Sequence, residues 1–275
     1  EIGLGVPRDP VRIVSENGTL RLIQPATGRD LSEKMGRFSR RFLSSLDEVD
    51  GFILKNRSPS CGIKDVKHFP KADSEIPSGK GAGFFSGAAL ARFPALAIED
   101  EGRLNHPKIR AHFLTKLFTL ARFREAKKIK SIEALVRFQA THKLLLMAYS
   151  QREMRALGRT VANTGRRRAA DLFNEYAPLL GQALSRPSRP SSNVNVLMHA
   201  LGYFSDALTG REKAFFLKTL DAYRSGRLPL SAALGILRSW IVRFQNSYLQ
   251  EQTFFEPYPD VLNEIEETPV SEPRR

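Results

Sequence analysis

The sequence predicts a small α/β domain with a parallel sheet, followed by an all-α helical domain. Three observations carry this. Short apolar runs punctuated by glycine and proline fill the first hundred residues. From about Asn105 the apolar residues recur at three- and four-residue intervals instead. Charge is segregated as well: residues 103–168 hold seventeen Lys or Arg against Glu125, Glu133 and Glu153, which accounts for the whole formal net charge of +14.

Residues 11–15 and 19–24 flank Glu16-Asn17-Gly18, a hairpin signal. Asp30 suits the start of a helix with Leu31, Met35, Phe38 and Phe42 on one face. Residues 51–54 (GFIL) read as a buried strand. Gly79, Gly81 and Gly83 precede a helical run over residues 84–92; glycines opening a helix can cradle an anion or simply give a flexible helix entry. The spacing is not that of a Walker A loop. Residues 95–98 read as a last strand.

Pro107 suits a first helical turn, with Ile109, Phe113, Leu117 and Ala121 on one stripe. Leu135, Phe138, His142, Leu145 and Tyr149 mark a second helix, on which His142 reads as a hydrogen-bonded core residue. Leu172, Tyr176 and Leu179 mark a third. SRPSRPSS at 185–192 reads as a linker. Further helices carry Val196, Ala200, Leu201 and Phe204, then Phe215, Leu220 and Tyr223, then Leu234, Leu237, Ile241, Phe244 and Tyr248. The domains are thus placed at 1–100 and 105–262. The acidic tail, 263–275, is expected to be disordered.

Cys61 is the single cysteine, which excludes a disulfide framework. It sits in Lys55-Asn56-Arg57-Ser58-Pro59-Ser60-Cys61-Gly62, just after a strand, where α/β proteins keep their chemistry. Pro59 and Gly62 shape the loop. Ser58, Ser60 and backbone amides offer donors around the sulfur. Lys55 and Arg57 add positive charge, expected to favour the thiolate. Such a thiolate could be a nucleophile or a metal ligand; equally, a lone cysteine is often a small buried apolar residue. Arg122, Arg124, Lys127, Lys128 and Lys130, and then Arg166, Arg167 and Arg168, form two dense basic runs. Few acidic residues are interspersed, so these runs are expected to contact phosphates of a nucleic acid, RNA or DNA, in preference to serving as a solubility face or touching an anionic membrane. No apolar stretch reaches the length of a membrane span, so no membrane partner is expected and the cytoplasm is the expected location.

Residues 1–9 (EIGLGVPRD), 51–62 (GFILKNRSPSCG) and 79–83 (GKGAG) resemble the thiouracil-desulfidase family. Residues 105–262 resemble the helical domain fused to it in YbgA-type proteins, through stretches such as 137–150 and 240–260. The fused pair resembles bacterial tRNA 4-thiouridine desulfidases. The resemblance implies a 4Fe-4S cluster on three cysteines, with an open iron that takes the sulfur of a thiolated base. One family cysteine lies near the N-terminus and another in a Cys-Pro-Glu element before the segment matching residues 1–7. Neither is present here, and the expectation is an N-terminally truncated, inactive fragment. Cys61 carries over as cluster ligand and Ser58 as catalytic serine. Lys55, Arg57 and Ser60 are expected to contact substrate. The implied activity converts 4-thiouridine in tRNA to uridine with release of sulfide. Two other classes stay open: a non-catalytic nucleic-acid-binding protein, linked to DNA repair, and a cluster-free enzyme with Cys61 as nucleophile.

Overall fold

A computed structural model describes residues 2–5, 7–16, 18–162, 165 and 167–263. The chain divides into two compact units, Glu1–Leu120 and Ala121–Arg275. The first contains β1 (Arg12–Glu16), β2 (Thr19–Gln24), β3 (Arg29–Asp30), α1 (Ser32–Ser44), β4 (Gly51–Leu54), β5 (Val66–Phe69), β6 (Gly79–Gly81), α2 (Phe84–Arg92), β7 (Ala97–Asp100) and α3 (Glu101–Leu104). The division falls inside α4 (Pro107–Lys128), beyond the 100–105 boundary read from the sequence. The early part of α4 packs into the first unit: a Cβ on Gly51 would meet Leu117 Cδ1 at 2.8 Å and the Ala97 carbonyl at 2.3 Å.

The strands form a five-stranded sheet in the order β3-β2-β1-β5-β6 and a separate pair, β4-β7. Parallel pairing occurs at β1–β5 and β4–β7, and the larger sheet is mixed. The hairpin signal is the reason. Gly18, at φ +80°, supplies the left-handed turn that returns β2 antiparallel to β1. Asn17 of that turn lies outside the described residues. Asp30 Oδ1 accepts the Ser32 amide at the start of α1. The buried stripe of α1 is Met35, Ser39 and Leu43, so Phe42, expected inside, stays 41% exposed and meets Phe85 at its rim. Ile13, Leu22, Leu31, Leu54, Val66 and Ala89 complete this core.

The second unit holds the end of α4, then α5 (Ile132–Tyr149), α6 (Gln151–Ala162), α7 (Ala169–Ala183), α8 (Pro190–Gly202), α9 (Gly210–Arg224), α10 (Leu230–Phe244) and α11 (Ser247–Gln250). One 3-10 turn follows at Asp260–Asn263. The 185–192 linker is shorter than expected, because Pro190 is a first-turn proline and the two serines after it are helical. On α9 the buried ring is Phe216, while Phe215 is 63% exposed. His142 is buried: its Nδ1 donates to the Phe138 carbonyl at 2.8 Å, and burial pushes its pKa down to about 4. Residues 264–275, where the disordered tail was expected, lie outside the described residues.

Candidate functional site

The site is built where β4 ends. Parallel pairing with β7 fixes Gly51–Leu54, and the chain then turns through Lys55–Gly62. Glu101, at the start of α3, accepts the Asn56 amide at 2.8 Å and pairs with Lys55 at 2.7 Å. Arg57 adopts a left-handed backbone, φ +53°, which is uncommon for a residue with a side chain. The Ser58 hydroxyl oxygen accepts the Ser60 and Cys61 amides, both at 3.3 Å, and the Gly62 amide returns to the Ser58 carbonyl at 2.8 Å. Ser58 therefore holds the tip of the loop closed.

The N-terminus of α2 fastens this loop. Its first-turn amides would otherwise lack partners. Phe84 donates to the Pro59 carbonyl at 3.0 Å, and Phe85 and Ser86 donate to the Ser60 carbonyl at 2.8 and 3.1 Å. The Gly83 amide reaches the Gly62 carbonyl at 2.8 Å, and the buried Ser86 hydroxyl donates to the same oxygen. The approach is close enough that a Cβ on Gly83 would sit 2.4 Å from the Ser60 carbonyl oxygen. These donors are spent on the loop, so they are not free to cradle an anion, and of the two readings of 79–83 the helix entry is the one the contacts favour. Glycine is needed for contact between backbones instead.

Cys61 is half-buried. Burial pushes its thiol upward, against the Lys55 backbone amide and the Ser58 hydroxyl, which hydrogen-bond toward the sulfur. This corrects the expectation that Lys55 and Arg57 make it a ready thiolate. The Lys55 ammonium is turned to Glu101, and Arg57 lines a separate cavity with Pro59. The structure thus brings Ser58, Ser60 and Cys61 together in one turn but directs the Lys55 and Arg57 side chains elsewhere. Ser86, Asn56 and Glu101 were not picked out from the sequence. A serine in the first turn of a glycine-led helix was the available signal for Ser86.

The basic runs are more engaged than their density implies. Arg122 is half-buried, donates to the Pro257 carbonyl at 2.6 Å, and has its pKa lowered by that burial. It is thus tied into the helical unit through at least one backbone contact. Arg124 pairs with Glu125 at 3.1 Å, Lys128 with the same carboxylate at 3.3 Å, and Lys127 reaches Asn174 at 3.3 Å. Arg167 pairs with Glu175 at 2.6 Å, and Arg168 forms a two-pronged contact with Asp171. Arg166 lies outside the described residues. Lys130, Arg155 and Arg159 are exposed and make no ion pair with another described residue.

Among the described residues, no group of three or more His, Cys, Asp or Glu is placed to hold a metal ion. A 4Fe-4S cluster takes three or four thiolates. With Cys61 as the single cysteine, the residues present do not by themselves fit that group. No helix among the described residues is long and apolar enough to cross a membrane.

Fold and site together describe an α/β domain that presents a fastened thiol loop, joined to a helical domain. Residues 1–101 match the 2-thiouracil desulfurase family model. Residues 143–259 match the model of a protein of unknown function, DUF1722. The uncharacterized protein YbgA of Escherichia coli (strain K12) is 34% identical over 131 residues, which span 47% of this chain and 78% of that relative. The chain belongs to the YbgA family, here with a 2-thiouracil desulfurase domain ahead of the shared region. No solved structure matches it. The desulfurase match supports a desulfidase-like role at the family level.

Proposed function

We propose that this protein belongs to the machinery that converts 4-thiouridine in tRNA to uridine in the cytoplasm. Replacing the base's C=S bond by C=O consumes one water and releases hydrogen sulfide. No electrons are transferred, so no oxidant or reductant is required. One observation carries the reading: the loop that holds Cys61 is fastened backbone-to-backbone onto α2, inside the segment that matches the desulfurase family. A rigid mount of that kind suits a residue that must hold one position against a substrate.

Within this chain Cys61 would supply one sulfur ligand, and the Ser58 hydroxyl supports the loop around it. The 4Fe-4S cluster implied by the family resemblance would polarise the carbon–sulfur bond. The further thiolates it needs are not among these 275 residues. Ser60, next to Cys61 in the loop, would contact substrate. The helical unit would hold tRNA through exposed cations such as Lys127, Lys128, Lys130, Arg155 and Arg159.

The test uses the photochemistry of the substrate. 4-Thiouridine in tRNA crosslinks to adjacent side chains under long-wavelength ultraviolet light. Irradiation with this chain is expected to give crosslinks within residues 57–62 or α2, out-competed poorly by unmodified tRNA. Crosslinks confined to the helical unit, or equal competition by unmodified tRNA, would overturn the reading. A second reading is a nucleic-acid-binding protein without catalysis, favoured by the concentration of positive charge in residues 103–168. That reading expects tRNA binding indifferent to the thio group.

A further inference from the structure

The pair β4–β7 stands apart from the larger sheet, and among the described residues each of its strands has a single neighbour. The Asp50 carbonyl accepts the Ala97 amide at 3.3 Å, which fixes the alternation along β4. Successive residues of a strand turn their N–H and C=O groups to opposite edges. Asp50, Phe52 and Leu54 therefore face β7, while Val49, Gly51 and Ile53 face away from it. The outward groups of these three residues have no hydrogen-bond partner among the described residues. Two residues after Ile53, the Lys55 amide is directed to the Cys61 sulfur, so the open edge stops there.

An open edge is a template for another strand, and proteins commonly guard one with a charge or a proline. Strand β4 carries neither: it reads Gly51-Phe52-Ile53-Leu54, and Ile53 is 62% exposed. The charges lie beyond its two ends. Asp47 and Glu48 precede the strand, and Lys55 and Arg57 follow it. A strand that is acidic before its apolar run and basic after it complements its own reverse. Two-fold pairing of identical surfaces brings those opposite ends together.

We propose that this edge joins a second copy of the chain, β4 against β4, antiparallel about a two-fold axis at Gly51. Val49 then lies opposite the partner's Ile53, and Asp47 opposite the partner's Lys55, each contact occurring twice. The Lys55 ammonium pairs with Glu101 at 2.7 Å and has further donors for a second carboxylate. Apolar and charged residues select this register. A shift that set Ile53 opposite its own counterpart would put Gly51 against Lys55 and Val49 against Arg57. The edge is short, so the dimer is a weak one. It does not depend on what the Cys61 loop binds.

Sedimentation velocity of the intact chain between about 1 μM and about 1 mM spans weak association. A monomer–dimer equilibrium is expected, with hydrogen exchange at the Val49, Gly51 and Ile53 amides slowing as dimer accumulates. Ile53→Lys guards the edge, and Asp47→Lys places a cation against the partner's Lys55. Each substitution acts twice across the axis, so each is expected to weaken association by about tenfold or more. Both positions are exposed, and thermal midpoints of the two variants are expected to match wild type. Ile76→Lys controls for general stickiness: Ile76 is 78% exposed outside this edge, and association should be unchanged. Disulfide trapping reads the register. Opposed Cα atoms of a hydrogen-bonded antiparallel pair lie about 5.5 Å apart, within disulfide reach. In a Cys61→Ser background, Val49→Cys combined with Ile53→Cys should therefore crosslink two chains readily, and Ile53→Cys alone should not. A monomer throughout the concentration range overturns the proposal. So does association that survives Ile53→Lys and Asp47→Lys, association lost equally in Ile76→Lys, or equal crosslinking of the single and double cysteine variants.

Discussion

Gly83 is the residue on which the Cys61 loop turns. Its missing side chain lets the Pro59 and Ser60 carbonyls reach the first turn of α2, and a Cβ there would lie 2.7 Å from the Pro59 oxygen and 2.4 Å from the Ser60 oxygen. Gly87, one turn along the same helix, would place a Cβ 3.8 Å from Ala82 Cβ, its nearest neighbour outside the helix backbone. The contrast yields a prediction. Gly83→Ala is expected to cost about 1–3 kcal/mol, the usual range for forcing atoms into filled space. It should also speed alkylation of Cys61 by freeing the loop. Gly87→Ala should be neutral or stabilising by up to about 1 kcal/mol, since alanine favours the helix interior. Urea unfolding and thiol-labelling rates measure both. Equal behaviour of the two variants would show that the loop does not depend on this close approach. Cys61 itself was legible in the sequence as a loop thiol after a strand. Its protonation tendency was not, because that depends on burial and on the turning of Lys55 to Glu101.

At the scale of elements, α4 shows how a charge run can mislead. Density alone marks 122–130 as one phosphate-binding surface, but a helix distributes consecutive residues around its whole circumference. Arg122 falls on an inward face and donates to the Pro257 carbonyl; Lys130 ends the run at the surface with a left-handed backbone, φ +58°. Arg122→Ala is therefore expected to destabilise the helical unit by about 1.5–3 kcal/mol, the worth of a charge-assisted hydrogen bond with a half-buried partner. It should change the salt dependence of tRNA affinity little. Lys130→Ala and Arg155→Ala should leave stability alone, and each should lower the salt slope by about 0.7–0.9 where the side chain neutralises one phosphate. Thermal melts and affinity titrations over a salt series separate the two outcomes. The opposite pattern, with Arg122 carrying the salt slope, would return that residue to the binding face. Apolar spacing predicted α5, α7, α8 and α10 well because three- and four-residue intervals survive any rotation about the helix axis. It mistook Phe215 for Phe216 because two adjacent apolar residues leave the phase of the buried stripe undecided.

For the molecule as a whole, composition constrains chemistry more tightly than shape does. A single cysteine among 275 residues, with no described cluster of other metal-binding side chains, cannot complete a 4Fe-4S cluster. Supplied with iron and sulfide under anaerobic conditions, this chain is expected to retain far less than one cluster per molecule, and the little it holds should vanish in Cys61→Ala. Stoichiometric iron and sulfide in the purified chain would refute this. The sequence by itself determined the two-part class, the thiol loop after β4, the family resemblance and the concentration of positive charge in residues 103–168. All of these depend on order and spacing along the chain. Only the tertiary structure decided that Gly83 meets the backbone of Pro59 and Ser60, that Arg122 donates to the Pro257 carbonyl, and that Lys67 and Lys80 stand opposite one another beside Arg12 and Arg57. Those outcomes rest on strand register and helix phase, which join residues far apart in sequence and which local propensity leaves open.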